Sequence, residues 1–450
     1  MRRSTPPPRA ANRSASPSNQ SAVPPNPPQI PGCPQIPSPP PILGCLTPPP
    51  SLRRWGEGRW ELLTRGGGAG AVPFLDRDRD RAMDRDRDMD RDRVRQPEPP
   101  KTQPGHPPGP TRWGICSAGA ISHDFVVALK TLPPSEHMVA AVAARDLGRA
   151  QDFARRFGIP RAYGSYEELA EDPDLDVVYV GVVNPAHLPT GLLFLRRGRA
   201  VLMEKPMGLG AREVVQLVGT ARERGVFLME GFWTRFFPAW RRLRTLVAEG
   251  ALGSPLVLRG ELGFALGGVP RLREPGLGGG VLLDLGGYGL QMALALLGGG
   301  APPSLRAHGV LHETGVDESV SVTLEFPGKG LAVLTFSMAA ELPGGAAVGG
   351  PRGWAEFPSH MNCPTELLFG GCRELFPLPP PSEPLNFPHS TGLRYEAQHV
   401  RECLLQGLTE SPEMPLAESE VIAQLLDEAR AQVGVAVATD HSGVTSEPPE

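Results

Sequence analysis

Arg112-Trp113-Gly114-Ile115-Cys116-Ser117-Ala118-Gly119-Ala120-Ile121-Ser122 runs as a short apolar strand, a turn of small residues and the start of a helix that continues through Phe125 to Leu129. A dinucleotide site needs that order of elements. Small residues let the backbone approach a pyrophosphate, and the helix N-terminus offers free N–H groups and partial positive charge. Ser117, Gly119, Ala120 and Ile121 are therefore candidate cofactor contacts. Ser117 and Ser122 stand where the first and third glycines of the GxGxxG fingerprint are expected, so the turn alone is a weak signal.

The next blocks strengthen it. Met138 to Ala144 is a second buried-strand candidate and ends in Arg145-Asp146. An acidic residue at the end of this strand suits a ribose 2'-hydroxyl, whereas an arginine suits a 2'-phosphate. Arg145 points to NADP, and Arg149, one helical turn on, can reach the same phosphate. Gln151 to Phe157 has helical spacing, Ala162-Tyr163 is a short strand, and Ser165 with Glu168 forms a helix cap. Asp176 to Val182 and Ala200 to Met203 are further buried strands, a pattern that implies a parallel sheet covered by helices on both faces. Ligands in such folds bind beyond the carboxyl ends of the strands. Tyr179, Asn184, His187, Glu204 and Lys205 lie at or near those ends and are candidates to line the cofactor site.

Composition sets the outer limits. The chain has 450 residues and 53 prolines, 25 of them in the first 110 positions. Residues 1–110 read as a disordered, low-complexity extension, Pro/Ser-rich up to about Pro50 and then a run of Asp-Arg dipeptides between Asp76 and Arg95. Alternating Asp cancels the phosphate attraction that an Arg run would need to hold nucleic acid. Met83 and Met89 offer later translational starts. The formal net charge of -4 gives no electrostatic reason for a nucleic-acid or anionic-membrane partner. Six cysteines without CxxC spacing, and no cleavable leader ahead of them, suggest a reducing compartment and a cytosolic protein. Charged residues or proline are expected to interrupt every apolar run short of membrane-spanning length. The histidines lack metal-ligand spacing, so no metal is expected.

The ordered motifs, Trp-Gly-Ile in strand one, Ala-Arg-Asp after strand two, Asn-Pro-x-His after strand four and Glu-Lys-Pro after strand five, resemble the glucose-fructose oxidoreductase and inositol dehydrogenase family. Its dihydrodiol-oxidising branch is resembled more narrowly by Arg112–Cys116, Ala143–Leu147, Ala162–Glu168, Trp233–Pro238, His312–Asp317 and Tyr395–Cys403. The likeness covers about residues 111 to 445 and has no counterpart for the N-terminal extension. It implies an NADP-binding Rossmann domain over 111–235. It also implies a substrate-binding and dimerisation α+β domain over 236–445, built on a large, mostly antiparallel sheet whose open face forms a homodimer. Strand candidates at Leu256–Leu262, Val320–Phe326 and Leu331–Phe336, with helices at Leu282–Leu297 and Tyr395–Leu405, are compatible with it.

Chemistry is expected where the halves meet. Gly278-Gly279-Gly280 leads into a helical stretch in which Asp284 and Tyr288 are four apart, a spacing that places both on one helix face. Many members of the family carry His at the Tyr288 position, and the dihydrodiol-oxidising type carries Tyr. Oxidation of a secondary alcohol needs a base for the hydroxyl proton and a group that stabilises the developing alkoxide. Tyr288 and Lys205 can supply them, with the Lys205 ammonium lowering the phenol's pKa and Asp284 orienting the substrate or Lys205. Trp233 and Phe236 are candidates for an aromatic wall against a small, planar substrate. The implied reaction is oxidation of trans-dihydrodiols of aromatic hydrocarbons to catechols with NADP, together with oxidation of D-xylose. A sugar or inositol dehydrogenase and a non-catalytic NADP-binding protein are the alternatives.

Overall fold

Val177-Val178-Tyr179-Val180 and Ala200-Val201-Leu202-Met203 have no polar face, so they are stable only inside a sheet covered on both sides. The computed structural model, which describes residues 109–298 and 304–436, places them there. Strands β1 (Thr111–Cys116), β2 (His137–Ala143), β3 (Arg161–Tyr163), β4 (Val177–Val180), β5 (Ala200–Glu204) and β6 (Leu228–Gly231) form one parallel sheet. Its order is β3-β2-β1-β4-β5-β6. The strand order reverses between β1 and β4, which opens a crevice at their carboxyl ends. Expectations for the first 108 residues, and for those after 436, fall outside the described residues.

Helices α1 (Ala120–Leu129), α2 (Leu147–Phe157), α3 (Tyr166–Glu171), α4 (His187–Arg196) and α5 (Ala211–Arg224) connect these strands. In α2 the buried residues are Ala150, Phe153, Ala154 and Phe157, a single stripe at helical spacing, while Asp146 caps its first turn by accepting the Arg149 N–H. Each fully buried aliphatic side chain in the sheet contributes about 1.5–3 kcal/mol. A polar substitution in β4 or β5 would therefore open the crevice floor.

The second domain continues through α6 (Pro238–Ala248), α7 (Pro270–Arg273), α8 (Gly287–Leu297), α9 (Leu393–Leu405) and α10 (Leu416–Gln432). Its strands are β7 (Leu256–Gly263), β8 (Ser304–Leu311), β9 (Asp317–Phe326), β10 (Gly330–Ser337), β11 (Ala346–Gly350), β12 (Gly353–Phe357), β13 (Glu366–Phe369) and β14 (Cys372–Leu375). They form one sheet of order β14-β13-β12-β11-β7-β10-β9-β8, antiparallel throughout except for β7 beside β10. Alternation along β9 buries Val320, Val322, Leu324 and Phe326 against the helices and turns Ser321 and Glu325 outward. The fold is thus a Rossmann-type parallel sheet followed by an α+β domain with a large, mostly antiparallel sheet.

Two expectations need correction. The apolar stretch Pro275–Leu297 is interrupted by only one charge, Asp284, and is long enough to cross a membrane, but 83% of its most apolar window is buried inside this fold. It is a core helix. The stretch expected as a uniform helix from Leu282 to Leu297 instead begins with a five-residue π turn, Leu282–Gly286, before regular α8. A wider turn of this kind is a frequent device at functional sites.

Candidate active site

The turn after β1 is strained where the fingerprint lacks its glycine. Ser117 adopts φ 87°, the left-handed region that glycine occupies without cost. The third glycine's task, close helix-to-strand packing, is taken over by the opposing chain. A Cβ on Gly181, at the end of β4, would sit 2.8 Å from the Ser122 Oγ. Ser122 is tolerated on α1 because the glycine lies across from it. Ser117, Gly119 and Ile121 are partly exposed and Ala120 is exposed, so the N–H groups of the first turn of α1 line an accessible edge.

Arg145 and Arg149 are exposed beyond β2, and neither guanidinium forms a hydrogen bond or ion pair among the described residues. Tyr166 joins them, a residue that sequence reasoning passed over. Burial raises its phenol to about 12 despite Arg145, Arg149 and the Ser117 side chain pulling the other way. A tyrosine next to a capping serine gave no signal of this placement.

Along β4 and β5 the structure separates lining residues from supporting ones. Tyr179 does not face the crevice. It is fully buried, stacked on Phe125 with ring centroids 3.8 Å apart, and donates to the Glu204 Oε1 at 2.6 Å. Glu204 is buried as well and accepts the Lys205 backbone N–H at 3.2 Å. Burial raises its pKa, against the opposing pull of Tyr179 and Lys205. Both cofactor-contact expectations are corrected to a buried brace beneath Lys205. His187 is also buried, and its ring nitrogens reach the Pro206 carbonyl at 2.7 Å and the Val182 carbonyl at 3.1 Å. It ties the loop after β4 to the loop after β5, so it positions the crevice rather than lining it. Asn184 is partly exposed and donates to the Gly278 carbonyl at 3.4 Å, joining the first domain to the glycine-rich loop.

Lys205, Asp284 and Tyr288 come together. The Lys205 Nζ donates to the Asp284 carbonyl at 2.8 Å, lies 3.7 Å from the Asp284 Oδ1, and stands 5.0 Å from the centre of the Tyr288 ring. Arg271, on the four-residue helix α7, also reaches the Asp284 Oδ1, at 3.1 and 3.2 Å. Burial pushes the Asp284 carboxyl up, but Lys205 and Arg271 outweigh it and hold it below the usual range. Arg271 was not foreseen, and an arginine in a short polar stretch carries no mark in sequence.

The expected lowering of the Tyr288 phenol is not met. Lys205 faces the ring rather than the hydroxyl, while burial together with Glu204, Asp284 and Cys363 pushes the phenol well above its ordinary value. The Trp233 side chain works in the opposite direction. Trp233 is buried and its indole N–H has no partner at hydrogen-bonding geometry among the described residues, so it remains a donor beside Tyr288. Phe236 is different. It is fully enclosed and stacked on His399 at 4.7 Å, which makes it part of the core and not a substrate wall.

A Rossmann turn with free helix N–H groups, in the same domain as a lysine that meets a carboxylate and a tyrosine from a second domain, defines a class: two-domain oxidoreductases that bind a nicotinamide cofactor. Residues 111–232 match the oxidoreductase family with an NAD-binding Rossmann fold, and residues 240–356 match the GFO/IDH/MocA C-terminal domain. The chain belongs to that family. It is similar to trans-1,2-dihydrobenzene-1,2-diol dehydrogenase of Danio rerio, with 53% identity over 329 residues covering 73% of this chain and 98% of the relative. The protein of the same name from Mus musculus is 49% identical over 73% of this chain and 98% of its own length. Among solved structures, KijD10, a 3-ketoreductase from Actinomadura kijaniata in complex with NADP and TDP-benzene, is 25% identical with a TM-score of 0.61. That match covers 72% of this chain and 98% of the ketoreductase.

Proposed function

We propose that the chain oxidises trans-dihydrodiols of aromatic hydrocarbons to catechols with NADP, and that D-xylose is a second substrate. The observation that carries this reading is the convergence of Lys205, Asp284 and Tyr288 at the edge of the dinucleotide crevice. The names of the relatives that match nearly end to end support the substrate class.

The residues present suit the cofactor. Ser117 already holds the turn conformation, the first N–H groups of α1 are accessible to a pyrophosphate, and Arg145 and Arg149 present exposed guanidinium groups for a 2'-phosphate. Bound there, NADP supplies the acceptor for the hydride. Lys205 uses one of its three N–H donors on the Asp284 carbonyl, which leaves donors for the substrate oxygen and stabilises charge as it develops there. Asp284, clamped by Arg271, fixes the ammonium in place. The Tyr288 hydroxyl exchanges the substrate's proton, and the Trp233 N–H stands beside it as a further donor.

The same reading gives a small-molecule substrate, a homodimer formed through the open sheet face and a cytosolic location. Rates on benzene trans-dihydrodiol and D-xylose, each with NADP and NAD, test it. Dihydrodiol turnover with NADP supports the assignment, whereas turnover of the sugar alone would make the chain a sugar dehydrogenase. Lys205→Met should abolish turnover and leave NADP binding measurable by fluorescence titration.

A further inference from the structure

We infer that Asp317 is a positioning residue for this reaction: its carboxylate pins the start of the π turn so that Asp284 and Tyr288 are presented to Lys205. The inference rests on the catalytic reading above. It accounts for the block His312–Asp317, which the function does not otherwise use.

The block is a tight hairpin between β8 and β9. The His312 N–H donates to the Val316 carbonyl at 2.8 Å, Gly315 takes φ 87°, and Leu311 pairs with Asp317. This turn carries Asp317 from a solvent-facing loop to complete burial. There its Oδ2 accepts the Leu282 N–H at 2.6 Å, at the first residue of the π turn. A helix start needs partners for its free N–H groups, and a buried carboxylate supplies a strong one.

The other oxygen is fitted to the glycine-rich loop. A Cβ on Gly280 would lie 2.2 Å from the Asp317 Oδ1, so no side chain fits there while the carboxylate is in place. Gly280 is held from its other side as well, since its N–H donates to the Leu272 carbonyl at 2.9 Å. Leu272 follows Arg271, the clamp on Asp284. One short network therefore fixes the entry to the turn, its carboxylate and the lysine that faces it.

Charge makes the device sensitive to acid. Burial raises the Asp317 carboxyl to about 6, against the Leu282 and Val281 N–H groups, its own N–H and Arg430 of α10. Asp427, also on α10, is engaged by the Ala211 N–H. Asp284 on the turn is neutralised by Lys205 and Arg271, and Glu318, next in β9, is partly exposed. Below about pH 6 the carboxyl is protonated and grips the turn less strongly.

Asp317→Ala and Asp317→Asn in the full chain test the inference. Alanine should lower kcat about a hundredfold with the cofactor KM unchanged, because the turn is displaced while the dinucleotide turn is not. Asparagine retains a carbonyl acceptor, so it should restore kcat to within about threefold of the parent and remove the acid limb of the pH profile. Unchanged kcat in the alanine chain, or an asparagine chain no better than alanine, overturns the inference. Hydrogen exchange over Val281–Tyr288 separates this from the substrate assignment, since it needs no turnover. At pH 7 it should quicken in the alanine chain and not in the asparagine chain, and equal protection in all three overturns the inference. Should the alanine chain not fold, asparagine decides: exchange corrected for intrinsic pH dependence should rise below pH 6 in the parent only, and the same rise in both overturns it.

Discussion

A phenol that burial and two neighbouring carboxyl groups keep protonated gives a proton more readily than it takes one. Tyr288 is in that position, so its chemistry should depend on direction. Only the phenolate can accept the alcohol's proton, and below the phenol's pKa that form increases tenfold per pH unit. Because the pKa is raised, the oxidation rate should keep climbing past about pH 10, where a free tyrosine titrates. Tyr288→Phe should cut kcat by about 10²–10⁴-fold and flatten that climb in a pH–rate profile. A variant that retained the climb would move the base elsewhere. Arg145 offers a cleaner test, because its exposed side chain supports nothing in the fold. Loss of a charged hydrogen bond costs about 1.5–3 kcal/mol, so Arg145→Ala should raise the KM for NADP by about 10–100-fold and leave NAD and the melting temperature unchanged. An equal loss for both cofactors would remove Arg145 from 2'-phosphate recognition.

Among the elements, the turn after β1 shows how an altered fingerprint can still work. Ser117 tolerates a left-handed backbone, but a β-branched side chain would not. Ser117→Val should lose about 1–3 kcal/mol in denaturant unfolding, whereas Ser117→Gly should lose none. Comparable stability for both would mean that the turn relaxes. Periodicity exposed the parallel sheet because Val177–Val180 and Ala200–Met203 have no polar face, and strand ends singled out Arg145, whereas the choice of Lys205 and Tyr288 rested on the family resemblance. Other parts were hidden. Nothing local distinguishes Phe236, which stacks on His399, from Trp233, which stays beside Tyr288. The π turn, Arg271 and Asp317 depend on contacts between distant segments. The direction of the Tyr288 shift depends on where the Lys205 ammonium sits over the ring, a matter of a few ångströms that spacing cannot convey.

At the scale of the whole molecule, the outward face of the large sheet carries Val257, Val333 and Trp354, respectively 47%, 36% and 54% exposed, with Arg259 and Glu261 among them. A face that mixes exposed apolar and charged residues in this way is the kind of surface a second copy of the chain could cover. Val333→Lys, at the centre of that face, should shift a dimer to monomer in sedimentation without changing the unfolding midpoint, and a parent chain already monomeric would remove the dimer assignment. The two domains are also threaded through each other. The Ala211 N–H, at the start of α5 in the first domain, donates to Asp427, 216 residues further along, and the Leu209 carbonyl accepts from Arg430, 221 residues along. At a synthesis rate of about 5–20 residues per second, those partners follow roughly 10–40 seconds behind on the ribosome. The cofactor half thus leaves the exit tunnel with an unfinished edge, and chaperone attendance would matter most during that interval, before α10 arrives to close it.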